Sequence, residues 1–131
     1  MVASTRTTAV TFLLLMTVMS EISFARESQI LEEQATNIRH TPYKSGFEVV
    51  QIPPNTIKPR HYHTGPEIGY VLQGELSIFY DNQPVKVIHR GEAFLTPPGL
   101  IHQTQTGPTG ATVVASWLVK REQQLAITIT H

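Results

Sequence analysis

Apolar and polar residues alternate along several short stretches of the chain. Residues 47–52 are rich in β-branched and aromatic side chains and end at two prolines, which cannot extend a strand ladder. Residues 67–73 form a similar run, and residues 75–80 alternate between polar and apolar positions. Gly74 lies between these two runs, so we expect a tight hairpin there. The pattern predicts strands.

The second half of the chain continues in the same way, with strand-like runs at 85–88, 92–96, 111–119 and 125–130. At least six short strands, with turns roughly every eight to twelve residues, indicate an antiparallel sandwich or barrel. Residues 26–36 differ because their composition favours a helix and includes few apolar positions. For that segment we expect a short helix or a loose arm.

The first 25 residues have the layout of a secretory signal peptide. Arg6 precedes an apolar run over residues 9–19, and Ser23 and Ala25 are small enough for the subsites of a signal peptidase. That run is well below the ~20 residues that cross a bilayer as a helix. We therefore expect cleavage after Ala25, export to the periplasm or the medium, and no stable membrane anchor.

Composition narrows the classes of function. Among the 131 residues, ten Lys plus Arg balance ten Asp plus Glu, so the chain lacks the basic charge of a nucleic-acid binder. It also lacks cysteine, which excludes disulfides, thiolate zinc sites, iron–sulfur clusters and a cysteine nucleophile. Any bound metal must therefore be held by His, Asp or Glu.

Four potential metal ligands lie among turn-forming glycines and prolines. His61 and His63 are two residues apart, so on a strand both rings point to the same face. Glu67 opens the next strand and can turn its carboxylate over that face, while His102 follows the rigid turn at 97–99. Three imidazoles and one carboxylate suit one divalent transition metal ion, either Fe, Mn, Cu, Ni, Co or Zn. Such a set leaves coordination positions open for water, dioxygen or a chelating substrate.

These residues resemble the two sequence motifs of the cupin superfamily. The first motif is similar to His61-x-His63-x-x-x-Glu67 with Gly74 at its end, and the second to Gly91, Pro97-x-Gly99-x-x-His102. Sixteen residues separate Gly74 from Gly91, close to the shortest spacing in the superfamily. The motifs together make a chance match negligible.

Two positions depart from the cupin pattern. Asn55 replaces the usual glycine before the first histidine, and Thr106 replaces the usual asparagine after the last one. Asparagine tolerates left-handed backbone better than most residues, so we expect Asn55 to substitute at modest cost. Thr106 puts one side-chain hydrogen bond of the second motif in doubt.

The resemblance extends over about residues 45–119 and implies an all-β fold. The expected architecture is a conical, jelly-roll-like barrel, the double-stranded β-helix, of about six to eight antiparallel strands. The resemblance also implies one divalent transition metal ion inside the barrel, bound by His61, His63, Glu67 and His102. The chain then divides into a signal peptide (1–25), an N-terminal arm (26–44) and a cupin β-barrel domain (45–131).

The activity implied by the resemblance is that of a metal-dependent oxygenase, with substrate and dioxygen at the open coordination positions. As in the flavonol 2,4-dioxygenases, Glu67 would be both a metal ligand and the catalytic base for a substrate hydroxyl. Two alternatives stay open: a non-catalytic module that binds a small molecule or a metal, and an isomerase or lyase with a Zn- or Mn-type ion. Because many cupins are dimers, we expect a homodimer, formed through an edge strand.

Other residues are expected to be structural. His40, His89 and His131 are predicted to lie outside the site, and Tyr62 to point away from its histidine neighbours. The aromatic residues are expected in the core or a dimer interface rather than against substrate. Three glutamines are candidates to line or support the site: Gln73, Gln103 and Gln105.

Overall fold

A computed structural model describes residues 27–130, and all regular structure in that range is β-strand. The predicted signal peptide and its cleavage site lie outside the described residues. Within residues 27–130 no helix could span a membrane. The strands are β1 (Gln29–Asn37), β2 (Tyr43–Ile52), β3 (Ile57–His63), β4 (Glu67–Tyr80), β5 (Lys86–His89), β6 (Ala93–Thr96), β7 (His102–Lys120) and β8 (Ala126–Thr128).

The strands form one antiparallel sheet with β7 at its centre. One path through the sheet runs β1-β2-β7-β3-β8, and β4 pairs with β5, β6 and β7. The second half of β7 lies between β2 and β4, while its first residues lie between β3 and β4. The all-β, antiparallel class predicted from the sequence is confirmed.

The hairpin predicted at Gly74 is wrong, because β4 continues through this residue to Tyr80. Gly74 lies opposite Ala111 on β7, yet Leu76, two residues later, lies opposite Thr106. The intervening residues of β7 therefore bulge out of the ladder. Gly74 has a φ of 73°, and a Cβ there would collide with the carbonyl oxygen of Gly110. Glycine is needed for this close approach rather than for a chain reversal.

The short helix or loose arm expected over 26–36 is also wrong. Strand β1 pairs with β2 from Gln29 to Asn37, for example Gln34 opposite Phe47, with one bulge at Leu31. A ready partner strand overrides a weak helix propensity, which is worth only tenths of a kcal/mol per residue. The boundary expected between arm and barrel, at 44/45, falls within β2.

The hydrophobic core lies on the inward faces of β4, β5 and β7. Alternate residues of β7 from Ala111 to Val119 are buried, as the period of two along a strand requires. Tyr80 and Trp117 are buried, whereas Phe47, Tyr70 and Phe79 are exposed, so only part of the aromatic set is core. The main cluster consists of Val71, Leu76, Ile78, Tyr80, Ile88, Ala111 and Val113.

The two departures from the cupin motifs meet at the turn before β3, where Asn55 lies in the turn and Thr106 contacts it from β7. Asn55 has a φ of 52°, so it adopts the left-handed backbone predicted for it. Thr106 is buried, and its hydroxyl donates a hydrogen bond to the carbonyl of Pro53 (2.6 Å) and accepts one from the backbone N–H of Thr56 (3.0 Å). Thr106 therefore supplies the hydrogen bonds that tie this turn to β7.

Candidate metal centre

His61 and His63 lie at the end of β3 with both rings inside the barrel. Their exposed fractions are 2% and 1%, and Tyr62 between them does not line the cavity, as predicted. The two ring centroids are 5.1 Å apart. The alternation of side chains along a strand is sufficient to bring both imidazoles to one place.

His102, the first residue of β7, joins them from the neighbouring strand. It lies directly opposite His61 in the β3–β7 ladder, and the ring centroids of this pair are 4.2 Å apart. The backbone N–H of Gly99 donates to the carbonyl of His63 (2.8 Å), which holds the preceding turn against β3. One ligand nitrogen from each of the three imidazoles lies within 4.8 Å of the other two.

Backbone carbonyls fix the tautomers of two of these rings. His61 Nδ1 lies 2.7 Å from the carbonyl oxygen of Pro59, and His102 Nδ1 lies 2.9 Å from that of Leu100. A carbonyl oxygen can only accept, so each Nδ1 carries the proton and donates it. Each Nε2 is left with a free lone pair. Metal-binding histidines commonly have this arrangement, in which one ring nitrogen donates to a carbonyl and the other is available to the metal.

His63 differs because both of its ring nitrogens are buried without a hydrogen-bond partner in the described structure. An unsatisfied buried polar group costs about 1–3 kcal/mol, so native structures retain few of them. A metal ion among the three imidazoles would give one of these nitrogens a partner. The residues present therefore fit a metal ion.

Glu67 opens β4 beside this cluster. Its Oε2 lies 3.8 Å from His63 Nδ1, and its side chain is 12% exposed. The three histidines form the close group, and the carboxylate stands next to His63. All four residues predicted from the motifs thus lie in one region of the barrel.

Burial sets the charge state of the cluster. Desolvation lowers the pKa of His61 to about 4 and that of His63 to about 3, and it also lowers the pKa of His102. Desolvation raises the pKa of Glu67 to about 7. At neutral pH the imidazoles are uncharged, as metal ligands must be, and the carboxyl is poised between its two protonation states.

The cluster opens into a cavity of about 650 Å³. Three further charged residues line it, and sequence reasoning missed all of them: Glu27, Glu48 and Lys58. The three candidate glutamines do not line it. His89 lies outside, where it is exposed and contacts Glu75 (2.9 Å); His131 lies outside the described residues. Apolar and hydroxyl side chains make up most of the remaining wall, including Val50, Leu76, Ile78, Phe94, Thr96, Thr104, Thr106 and Val113.

Several solved structures have a similar fold. A recombinant oxalate oxidase in complex with glycolate shares 27% sequence identity at a TM-score of 0.55, over 64% of this chain and 45% of that chain. Oxalate decarboxylase from Bacillus subtilis shares 15% identity at a TM-score of 0.61, over 74% and 27%. KdgF from Halomonas sp. shares 22% identity at a TM-score of 0.52, over 74% and 89%. At their low sequence identities, the decarboxylase and KdgF show only that this chain shares their fold.

The chain spans less than half of that oxalate oxidase and about a quarter of the decarboxylase. A comparison with curated protein sequences gave no significant match. The family model for the cupin domain, Cupin_2, matches residues 48–118, more than half of the chain and including all four motif residues. With the antiparallel barrel and its three inward histidines, this match shows that the chain belongs to the cupin family.

Proposed function

We propose that the protein binds one divalent transition metal ion through His61, His63 and His102, with Glu67 as the fourth ligand. The unsatisfied nitrogens of His63 are the observation that carries this proposal. The two carbonyl-bound rings support it, because each has a lone pair on Nε2. Glu67 adds a negative charge beside His63, which favours a cation and suits hard and borderline ions.

We further propose that the protein is a metal-dependent oxygenase acting on a small organic substrate. The cavity has the size of a small-molecule site, and its wall combines apolar side chains with the three histidines, carboxylates and several hydroxyl groups. A redox-active ion bound here supplies open coordination positions and electron transfer. Glu67, with a pKa near neutrality, is suited to accept the proton of a substrate hydroxyl. The similarity to an oxalate oxidase supports redox chemistry.

Oxygen uptake tests the proposed activity. The metal-free protein is loaded separately with Fe, Mn, Cu, Ni, Co and Zn and then offered enediols or flavonols in an oxygen electrode. We expect uptake with at least one redox-active ion, none with Zn, and none in a His61→Ala variant. Absence of uptake with every ion contradicts the oxygenase. Substrate conversion with Zn would indicate an isomerase or lyase. A melting temperature that the ligand raises, with no substrate conversion, would indicate a binding module.

Export and dimerisation are part of the same proposal. The apolar segment at 9–19 and the small residues before position 26 support cleavage after Ala25. Among the described residues β1 lies at one end of the sheet, and its exposed Ile30 and Leu31 support pairing with a second copy. Native mass spectrometry of protein isolated from the cell envelope is expected to show a dimer of chains 26–131. A full-length monomer contradicts both expectations.

A further inference from the structure

A β-bulge brings Lys58 into the cavity of the three histidines. Lys58 lies opposite Thr104 of β7, and His61 lies opposite His102. The two β7 residues are two apart and share a face, whereas Lys58 and His61 are three apart on β3. The extra residue on β3 therefore places Lys58 and His61 on the same inward side. Both line the same cavity.

The bulge is coupled to the geometry of the metal centre. Pro59 lies inside it and has no backbone N–H to donate, which is tolerated where the ladder is interrupted. Its carbonyl oxygen accepts the Nδ1–H of His61 at 2.7 Å. The hydrogen bond that orients His61 thus also fixes the segment next to Lys58.

The charge of Lys58 has no close partner. Lys58 is the one lysine or arginine among the described residues that line the cavity. Within residues 27–130 it makes no salt bridge, although its positive charge acts on Glu48, on Glu67 and on all three histidines. Its side chain is exposed, while the histidines are buried, so the ammonium group stands nearer the mouth.

The unpaired ammonium group of Lys58 favours an anionic ligand. A divalent ion and Lys58 would provide three positive charges and the ionised carboxylates of Glu27, Glu48 and Glu67 would balance them, but none of these carboxylates forms a salt bridge with Lys58 in the described structure. A carboxylate that meets a lysine ammonium in such a place forms a charge-assisted hydrogen bond, about twice as strong as a neutral one. A ligand with an oxygen donor at one end and a carboxylate at the other therefore matches both ends of the cavity.

We propose that Lys58 is a specificity-determining residue that pairs with the carboxylate of a small organic acid, whose other end binds at the metal held by His61, His63 and His102. This inference rests on the proposed function, because it requires the metal. It narrows the substrate class to hydroxy acids and related acids with an enediol or a catechol group.

Matched acids and amides test the role of Lys58. The probes are 3-hydroxypropionate, 4-hydroxybutyrate and 3,4-dihydroxybenzoate, each compared with its amide, on metal-loaded protein by calorimetry. In the wild type we expect acids to bind more tightly than amides. Lys58→Met is expected to weaken acid binding by about 10-fold or more and to leave amide binding unchanged, since one charged hydrogen bond is lost. Lys58→Arg should restore acid binding to within about 3-fold.

Controls separate this inference from the metal proposal. Lys120→Met removes an exposed lysine that does not line the cavity and is expected to change nothing. Metal content is measured in every variant and should stay unchanged in Lys58→Met. A wild type that takes up no metal overturns the proposed function and this inference together. Normal metal uptake with no preference for acids, or with acid binding unaffected by Lys58→Met, overturns the role of Lys58 alone.

Discussion

Replacing His63 by leucine is expected to abolish metal binding and, at the same time, to stabilise the metal-free protein. His63 is 1% exposed, and neither ring nitrogen has a hydrogen-bond partner in the described structure. Leucine has a similar volume and no polar atom, so it removes the desolvation penalty without leaving a large cavity. We expect the free energy of unfolding of the metal-free protein to rise by about 1–3 kcal/mol.

The loss of metal affinity in His63→Leu should be large. Loss of a residue that only hydrogen-bonds to a metal ligand costs roughly 10–100-fold in metal affinity, so loss of a ligand itself should cost more than about 100-fold. The wild type at 1,000 times its dissociation constant gains about 4 kcal/mol from bound metal, and the variant should gain almost none. Urea unfolding with and without metal, combined with elemental analysis, measures both effects.

His89→Leu is the matched control, because His89 is an exposed histidine outside the cavity that contacts Glu75. We expect it to retain full metal binding. A His63→Leu protein that binds metal as tightly as the wild type would show that the three imidazoles do not act together. If metal-free His63→Leu is less stable than the metal-free wild type, the packing of the His63 ring contributes more to stability than its unpaired nitrogens cost.

The histidines of the site were predictable because they depend on local geometry. A spacing of two places His61 and His63 on one face of any strand, and the rigid turn at 97–99 delivers His102 to the next ladder. The glycine and proline frame then identified the family, and with it the barrel. The left-handed conformation of Asn55 was also predictable, because this residue replaces a glycine of the first motif.

Other features depend on contacts between distant segments and were missed. The same alternation that places the histidines puts Lys58 on the opposite face, and only the bulge against β7 reverses this. The sequence predicts a chain reversal at Gly74, whereas in the structure this glycine allows a close approach to the backbone of Gly110. Strand β1 depends on its pairing with β2. None of these pairings leaves a signal within its own short segment.

Replacing Glu67 by glutamine is expected to remove the pH dependence of metal affinity between pH 5 and 8. Burial raises the pKa of Glu67 to about 7, so below that pH a proton competes with the metal for the carboxylate. Wild-type affinity should fall by about 100-fold from pH 8 to pH 5. His61 and His63 contribute little there, because burial holds the pKa of His61 near 4 and that of His63 near 3; burial also lowers the pKa of His102.

Glu67→Gln should bind metal more weakly than the wild type at pH 8, with an affinity that stays nearly constant down to pH 5. Glu122→Gln changes an exposed carboxyl outside the cavity and should keep the wild-type pH profile. Competition with a chelator of known affinity at each pH measures both profiles. An unchanged slope in Glu67→Gln would show that Glu67 does not bind the ion.

The stability of the metal-free protein gives an independent readout of the same carboxyl. Because its pKa is raised in the folded state, its contribution to stability is fully present below about pH 4.5 and is lost as pH rises through about 7. That loss approaches about 3 kcal/mol at high pH. The imidazoles act in the opposite sense, since their lowered pKa values reduce stability as pH falls below 6.5. Without metal, Glu67→Gln should therefore lose less stability than the wild type when the pH rises from 5 to 8. This measurement reports the burial of the carboxyl independently of its role as a metal ligand.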